Sequence, residues 1–177
     1  MADQPPKNLA NYILSSNVAL ALSPATGDVP LLLVNQGFCD LTGYAREDVE
    51  GRNCRLLQGE ATQEESRAAL HEFIHNPDRD SGRFSILNYR ADGTPFHNLL
   101  FMTRLRDRQG MARFILGSQF DMTRSAQRQT LPVHDAELSR NLSEIRTMGQ
   151  QFGLAMEGSA RAISESVAML ARLHFDE

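Results

Sequence analysis

Between residues 16 and 123 apolar and polar positions alternate in short runs, and the period of that alternation changes twice. Val18–Leu22 and Leu31–Asn35 are apolar runs of strand length, and Pro24, Gly27, Asp28 and Pro30 between them supply a turn. Residues 36–75 lose the strand period and read as several short helices broken at Gly43, Gly51 and Gly59. The last and longest runs from about Thr62 to His75 and stops at Asn76-Pro77, because a residue before proline resists the helical conformation. Residues 82–121 return to the two-residue period as three strands. They are joined through Asp92-Gly93, a tight-hairpin signal, and through a second turn at Asp107–Gly110. Two strands, a helical block and a three-strand meander predict an α+β fold, a five-stranded antiparallel sheet with short helices on one face.

The flanks differ from this middle. Residues 1–15 are a polar, proline-containing start leading to Leu9, Tyr12, Ile13 and Leu14, the spacing of a short amphipathic N-terminal helix. In residues 124–177, Leu138, Leu142, Ile145, Phe152 and Met156 follow a 4–3 helical spacing, and Glu157-Gly158-Ser159 offers a break. A C-terminal helical extension of two helices is expected there.

Side chains alternate across a strand, so parity sorts the meander into two faces. One face carries Phe84, Ile86, Asn88 and Arg90, then Phe96, Asn98, Leu100 and Met102, then Ile115, Gly117, Gln119 and Asp121. If this face is the inner one, Asn88, Asn98 and Gln119 lie among apolar neighbours. A buried amide without a partner costs about 1–3 kcal/mol. Local backbone could satisfy these three, and so could a planar heterocycle with a carbonyl- and nitrogen-rich edge. The other face carries Leu87, Tyr89, Leu99, Phe101, Phe114, Leu116 and Phe120, too apolar to stand in water. Terminal helices, a second subunit or both should cover it.

Composition then removes function classes. In 177 residues there are 18 basic and 22 acidic side chains, and a net charge of −4 argues against a nucleic-acid partner. The two cysteines, Cys39 and Cys54, are too few for a disulfide scaffold or a four-ligand zinc site. His71 and His75 stand four apart on one helix with no third ligand in register, so no metal site is expected. No apolar run approaches the roughly 20 residues that cross a bilayer, and the start lacks the pattern of a secretory signal. A cytoplasmic protein without membrane contact is expected. Cys39, beside Phe38 and Leu41, reads as core. Cys54 is different, because Arg52, Asn53 and Arg55 flank it in a short helical turn, and nearby cations favour thiolate chemistry or an anionic ligand.

The segment Gly51-Arg52-Asn53-Cys54-Arg55-Leu56-Leu57-Gln58-Gly59 resembles the GRNCRFLQG signature of LOV domains, the flavin-binding blue-light sensors of the PAS superfamily. The resemblance extends to Asn35–Phe38 and Leu41–Tyr44 before it, and to Leu87–Phe96, Asn98–Phe101 and Gly117–Asp121 after it. It covers about residues 17–123, within a sensor domain expected over 16–123, and leaves 124–177 outside. It implies a non-enzymatic photoreceptor holding flavin mononucleotide (FMN), ahead of FAD or riboflavin. By the same resemblance Cys54 is the photoactive residue, forming a reversible bond to the flavin C(4a) carbon. Arg55 would pair with the phosphate, while Asn53, Gln58, Asn88 and Asn98 would bond the ribityl chain or the pyrimidine edge. Gln119 would face O(4) and N(5) and relay the signal by turning its amide. Leu57, Ile74, Ile86, Leu100, Met102 and Ile115 would wall the ring, with Gly117 beside it.

Three departures from the family pattern stand out. His71 occupies the place of a second phosphate-binding arginine; either Arg67, one turn earlier, substitutes for it, or the phosphate is held less tightly and flavin is lost more easily. Leu56 replaces the usual phenylalanine. Leu22 is placed where the first strand usually offers a polar residue to the flavin. The output implied is a change in helix docking or in a homodimer formed through the outer sheet face and terminal helices, passed to a downstream protein. Two other readings are a flavin redox sensor and a PAS-type dimerisation module without photochemistry.

Overall fold

The computed structural model describes residues 4–107 and 109–123. Along the chain these are α1 (Lys7–Ser15), β1 (Ala19–Pro24), β2 (Leu33–Val34), α2 (Gln36–Thr42), α3 (Arg46–Val49) and a 3₁₀ turn (Cys54–Leu57). They continue as α4 (Glu64–His75), β3 (Ser81–Tyr89), β4 (Pro95–Arg106) and β5 (Ala112–Asp121). The strands form one antiparallel five-stranded sheet in the order β2-β1-β5-β4-β3. The meander is built as its hairpin signals indicate, with Gly93 at φ 83° and Gly110 at φ 82° in the two turns. The extension expected over 124–177 lies outside the described residues.

The second strand is shorter than its apolar run. Only Leu33–Val34 joins the sheet, because the residues on either side have other partners. The Leu31 N–H donates to Arg52 O, the Gly51 N–H donates to Leu31 O, and Pro30 bridges to Asn53. Asn35 leaves the strand to cap α2. Its Oδ1 accepts from the Leu20 and Phe38 N–H groups, and its Nδ2 donates to Ser16 O and Val18 O. The loop that carries the cysteine motif is thereby stitched to the segment entering β2.

Part of the outer face has its cover within the same chain. α1 lays Leu9 and Ile13 on Leu20, Leu22, Leu105, Phe114 and Leu116, all buried. Tyr89 does not stay on that face. Its ring wraps the β3 edge against Gly59, where any Cβ would collide with it, and its oxygen accepts the Ala61 N–H at 3.2 Å. Phe101 and Phe120 meet edge to face, 6.0 Å between centroids.

On the inner face α4 is tied down at both ends. It begins two residues later than its pattern suggests, because the Thr62 hydroxyl is used otherwise, donating to Leu87 O and accepting from the Gly59 N–H. Ser66 adds a hydroxyl bond to Ser85 O. At the other end the buried Arg104 guanidinium reaches up from β4. It donates to Phe73 O (2.5 Å), Ile74 O (3.0 Å), Asn76 O (3.2 Å) and Arg79 O (3.0 Å), satisfying carbonyls that a helix end leaves open. The same group lies over the Phe73 ring.

Candidate functional site

The inner sheet face, α4, the 3₁₀ turn and the loop around Asp28 enclose a cavity of about 750 Å³. Register puts the side chains there. Ile86 lies opposite Asn98 across β3–β4, while Leu100 faces Gln119 and Met102 faces Gly117 across β4–β5. All seven residues just named or flanking them on this face (Ile86, Asn98, Leu100, Met102, Gly117, Gln119 and Asn88) line the cavity, together with Ile115.

The three amides are 4%, 1% and 3% exposed at Asn88, Asn98 and Gln119, so solvent does not satisfy them. Asn98 links the set, its Nδ2 donating to Asn88 Oδ1 at 2.9 Å and to Gln119 Oε1 at 3.2 Å. Asn98 Oδ1 is left buried with no hydrogen-bond partner among the described residues. An acceptor in that position calls for a donor from within the cavity.

Cys54 begins the 3₁₀ turn, whose start Asn53 caps by accepting the Arg55 N–H at 2.9 Å. It lines the cavity. Burial pushes its thiol up to about 11, so at neutral pH the group is a protonated thiol and a potential hydrogen donor. This corrects the expectation drawn from its neighbours in sequence. Arg52 donates to Asp48 O, and Arg55, 64% exposed, pairs with Asp28 Oδ1 at 2.5 Å. Neither guanidinium favours a thiolate.

The far end of the cavity is charged. Asp28 is fixed there by Arg55 and by Asn53, whose Nδ2 donates to the Asp28 carbonyl. Arg67 reaches in from α4, with one terminal nitrogen bonded to Gly59 O at 2.6 Å and the other 3.8 Å from Glu64. Its Nε is buried and has no partner among the described residues. Gln58, His71, Ile74 and His75 complete this end.

Most residues expected at the site are thus brought together. Two placements differ. Leu57 does not line the cavity; it is buried with Val34, Phe38 and Val49 beneath the 3₁₀ turn. Leu22 points away from the cavity into the cluster beneath α1, since it pairs with Leu116 on the outer-face parity. The residues β1 presents inward are Ala21 and Ser23, opposite Gly117 and Ile115, so the first strand does offer a polar side chain. Val29, Leu31 and Leu70 add apolar wall, and Asp28 adds a carboxylate. Of these only Ala21 and Ser23 had a usable signal, the parity of β1 once its pairing with β5 is known. Cys39 lies half-buried against the Phe38 cluster, as its setting in sequence suggests. Among the described residues no group of three or more His, Cys, Asp or Glu side chains is placed to hold a metal ion, and no helix is long and apolar enough to cross a membrane.

A planar ligand with mixed donors and acceptors along one edge and an anionic tail suits this cavity. Its edge would meet the amides and the open Asn98 Oδ1, and its tail would lie near the open Arg67 Nε. One antiparallel sheet closing a polar-edged cavity against short helices is the architecture of a PAS sensor domain. The PAS domain family model matches residues 17–124, and the chain belongs to that family. Within the superfamily it is a LOV domain of the blue-light photoreceptor type. It is 41% identical over 112 residues to blue-light-activated histidine kinase 1 of Erythrobacter litoralis (strain HTCC2594), covering 61% of this chain and 30% of the kinase. It also matches the solved LOV domain from the Erythrobacter litoralis EL346 blue-light activated histidine kinase, with 40% identity and a TM-score of 0.56, over 60% of this chain and 96% of that one. The Rhodobacter sphaeroides LOV protein is similar over 68% of each chain, at 31% identity and a TM-score of 0.62. The chain spans about a third of the length of the two Erythrobacter litoralis histidine kinases it matches.

Proposed function

We propose that this protein is a non-enzymatic blue-light receptor that holds FMN in the cavity, with Cys54 as its photoreactive residue. The observation that carries the reading is the amide triad with its open Asn98 Oδ1, facing the same cavity as a thiol held in its protonated form. When bound, a flavin supplies the blue-light absorption and an electrophilic ring carbon toward which a thiol can bond. The chain supplies the rest. Cys54 holds a transferable hydrogen, because burial keeps the thiol neutral. Asn88 and Asn98 hold the heterocycle edge, while Ile86, Leu100, Met102 and Ile115 exclude water from the ring.

Gln119 both accepts and donates, so its amide can turn when a proton arrives on the atom it faces. It stands two residues before Asp121. That carboxylate accepts from Arg90 at 2.7 Å and from the Thr123 N–H at 2.9 Å, so a turn of Gln119 is felt where β5 leads into residues 124–177. The output is a change in helix docking or in the homodimer, read by a downstream protein in the cytoplasm.

Absorbance spectroscopy tests this. The purified chain should be yellow, bleach in blue light and recover in darkness, and Cys54→Ala should keep the colour and lose the bleaching. A colourless protein that takes up no flavin, or bleaching that survives in Cys54→Ala, overturns the assignment. Light-scattering mass in light and darkness tests the output, which should change with illumination.

A further inference from the structure

Among the described residues Val29 is the one non-glycine residue with positive φ, at 45°. That backbone crowds Cβ against a carbonyl oxygen, and a β-branched side chain suffers most from it. Pro30 follows, and a residue before proline is steered toward extended backbone. Glycine is what such a position ordinarily takes. A conformation this costly persists only where its surroundings over-determine it.

The surroundings of Val29 do so from both sides. Before it, the Asp28 carbonyl accepts from Asn53 Nδ2. After it, Pro30 bridges to Asn53, the Leu31 N–H donates to Arg52 O at 2.9 Å, and the Gly51 N–H donates to Leu31 O at 2.8 Å. Both clamps end on the segment that leads into the turn carrying Cys54. Between them the Val29 side chain is turned inward and only 8% exposed. It lines the cavity and belongs to the buried cluster of Leu70 and Phe73 from α4 with Ile86 and Ile115 from the sheet. Its neighbours are open. The Asp28 side chain is 71% exposed, and a Cβ at Gly27 would meet nothing within 4 Å. Solvent therefore reaches as far as Asp28 and stops at Val29.

Building on the proposed flavin site, we propose that Val29 bars the passage between the charged end and the ring compartment, and so sets how fast a flavin leaves. The two clamps hold the backbone in its strained turn, which seats the branched side chain across the gap between the cysteine turn and α4. No covalent step is involved. Closure acts on the ring and not on the tail, so flavins with and without a phosphate are retained by it alike.

Val29→Gly and Val29→Ala, each in the full chain, test the strain and the closure separately. At ordinary backbone angles glycine is the less stable of the two, whereas at positive φ the order reverses. Flavin-free Val29→Gly should therefore melt above flavin-free Val29→Ala in scanning calorimetry. Both variants lack the branch that fills the gap. Flavin should escape from each about tenfold faster than from the parent, the equivalent of part of a buried valine's apolar contact. Escape is followed by flavin fluorescence after rapid dilution, and FMN and riboflavin should quicken by the same factor. Ile13→Ala, fully buried but beneath α1 on the outer face, should lower the melting temperature and leave escape unchanged. Val29→Ala melting above Val29→Gly overturns the strain. Escape unchanged in both Val29 variants, quickened for FMN alone, or quickened as much by Ile13→Ala overturns the closure. Each of these leaves the flavin reading intact, whereas a parent that takes up neither flavin overturns both.

Discussion

The two ends of the cavity are made in opposite ways. At the sheet end Asn88, Asn98 and Gln119 are almost fully buried and sit on three adjacent strands whose register is fixed by continuous pairing. At the charged end Asp28, Arg55, Glu64 and Arg67 are each more than a third exposed, and they sit on a loop, a 3₁₀ turn and the start of a helix. A buried polar group has few alternatives, so the amides can specify a ring edge closely. Exposed ion pairs are worth little and exchange partners readily. The flat, uncharged part of a ligand is therefore selected by strand register, whereas its tail meets groups that can be rearranged one substitution at a time.

Arg104 couples the two ends, since it anchors the last turn of α4, which carries His75, to the strand that carries Asn98. Arg104→Met leaves the carbonyls of Phe73, Ile74 and Arg79 without the guanidinium that serves them, while Asn76 O keeps the Arg79 N–H. A loss of about 3 kcal/mol in urea unfolding is expected. Flavin release should quicken along with it. An unchanged stability would mean that α4 is held by its apolar face alone and that the ends are independent.

Asn98→Leu attacks the sheet end directly. It removes the donor shared by Asn88 Oδ1 and Gln119 Oε1 and exposes nothing to water in exchange. A cost of about 2 kcal/mol is expected, with loss of flavin uptake measured by absorbance after reconstitution. If the variant keeps flavin as well as one altered at the charged end, the contrast drawn between the ends fails.

The amide triad was legible in the sequence because the meander is local. Hairpin turns fix which residues face each other, and parity then puts Asn88, Asn98 and Gln119 on one face. The first strand was less legible. β1 pairs with β5 across almost a hundred residues of chain, and Leu22 looked inward until Ala19 was found opposite Gln119. The environment of Cys54 misled for a related reason: Arg52 and Arg55 are its neighbours in sequence but extend to other partners, and burial decides the state of the thiol. Asp28 could not be found from pattern, because its meeting with Arg55 depends on the loop before β2 being stitched to the cysteine motif. Part of the expected cover over the outer face is supplied by α1, which packs over Leu20, Leu22, Phe114 and Leu116.

The smallest expected effect is also the most discriminating. In Asp28→Asn the backbone carbonyl still accepts from Asn53, and only the carboxylate charge facing Arg55 is lost. The pair is 64% and 71% exposed, so stability should move by no more than about 0.5 kcal/mol. Arg55 is then released from its partner, and FMN affinity should rise a few-fold at low salt. That gain should shrink as added salt shortens the range of the interaction. Riboflavin, lacking the phosphate, should bind the variant and the parent alike. If its affinity shifts as much as that of FMN, the charge at one end is reshaping the amides at the other, and the cavity behaves as one unit.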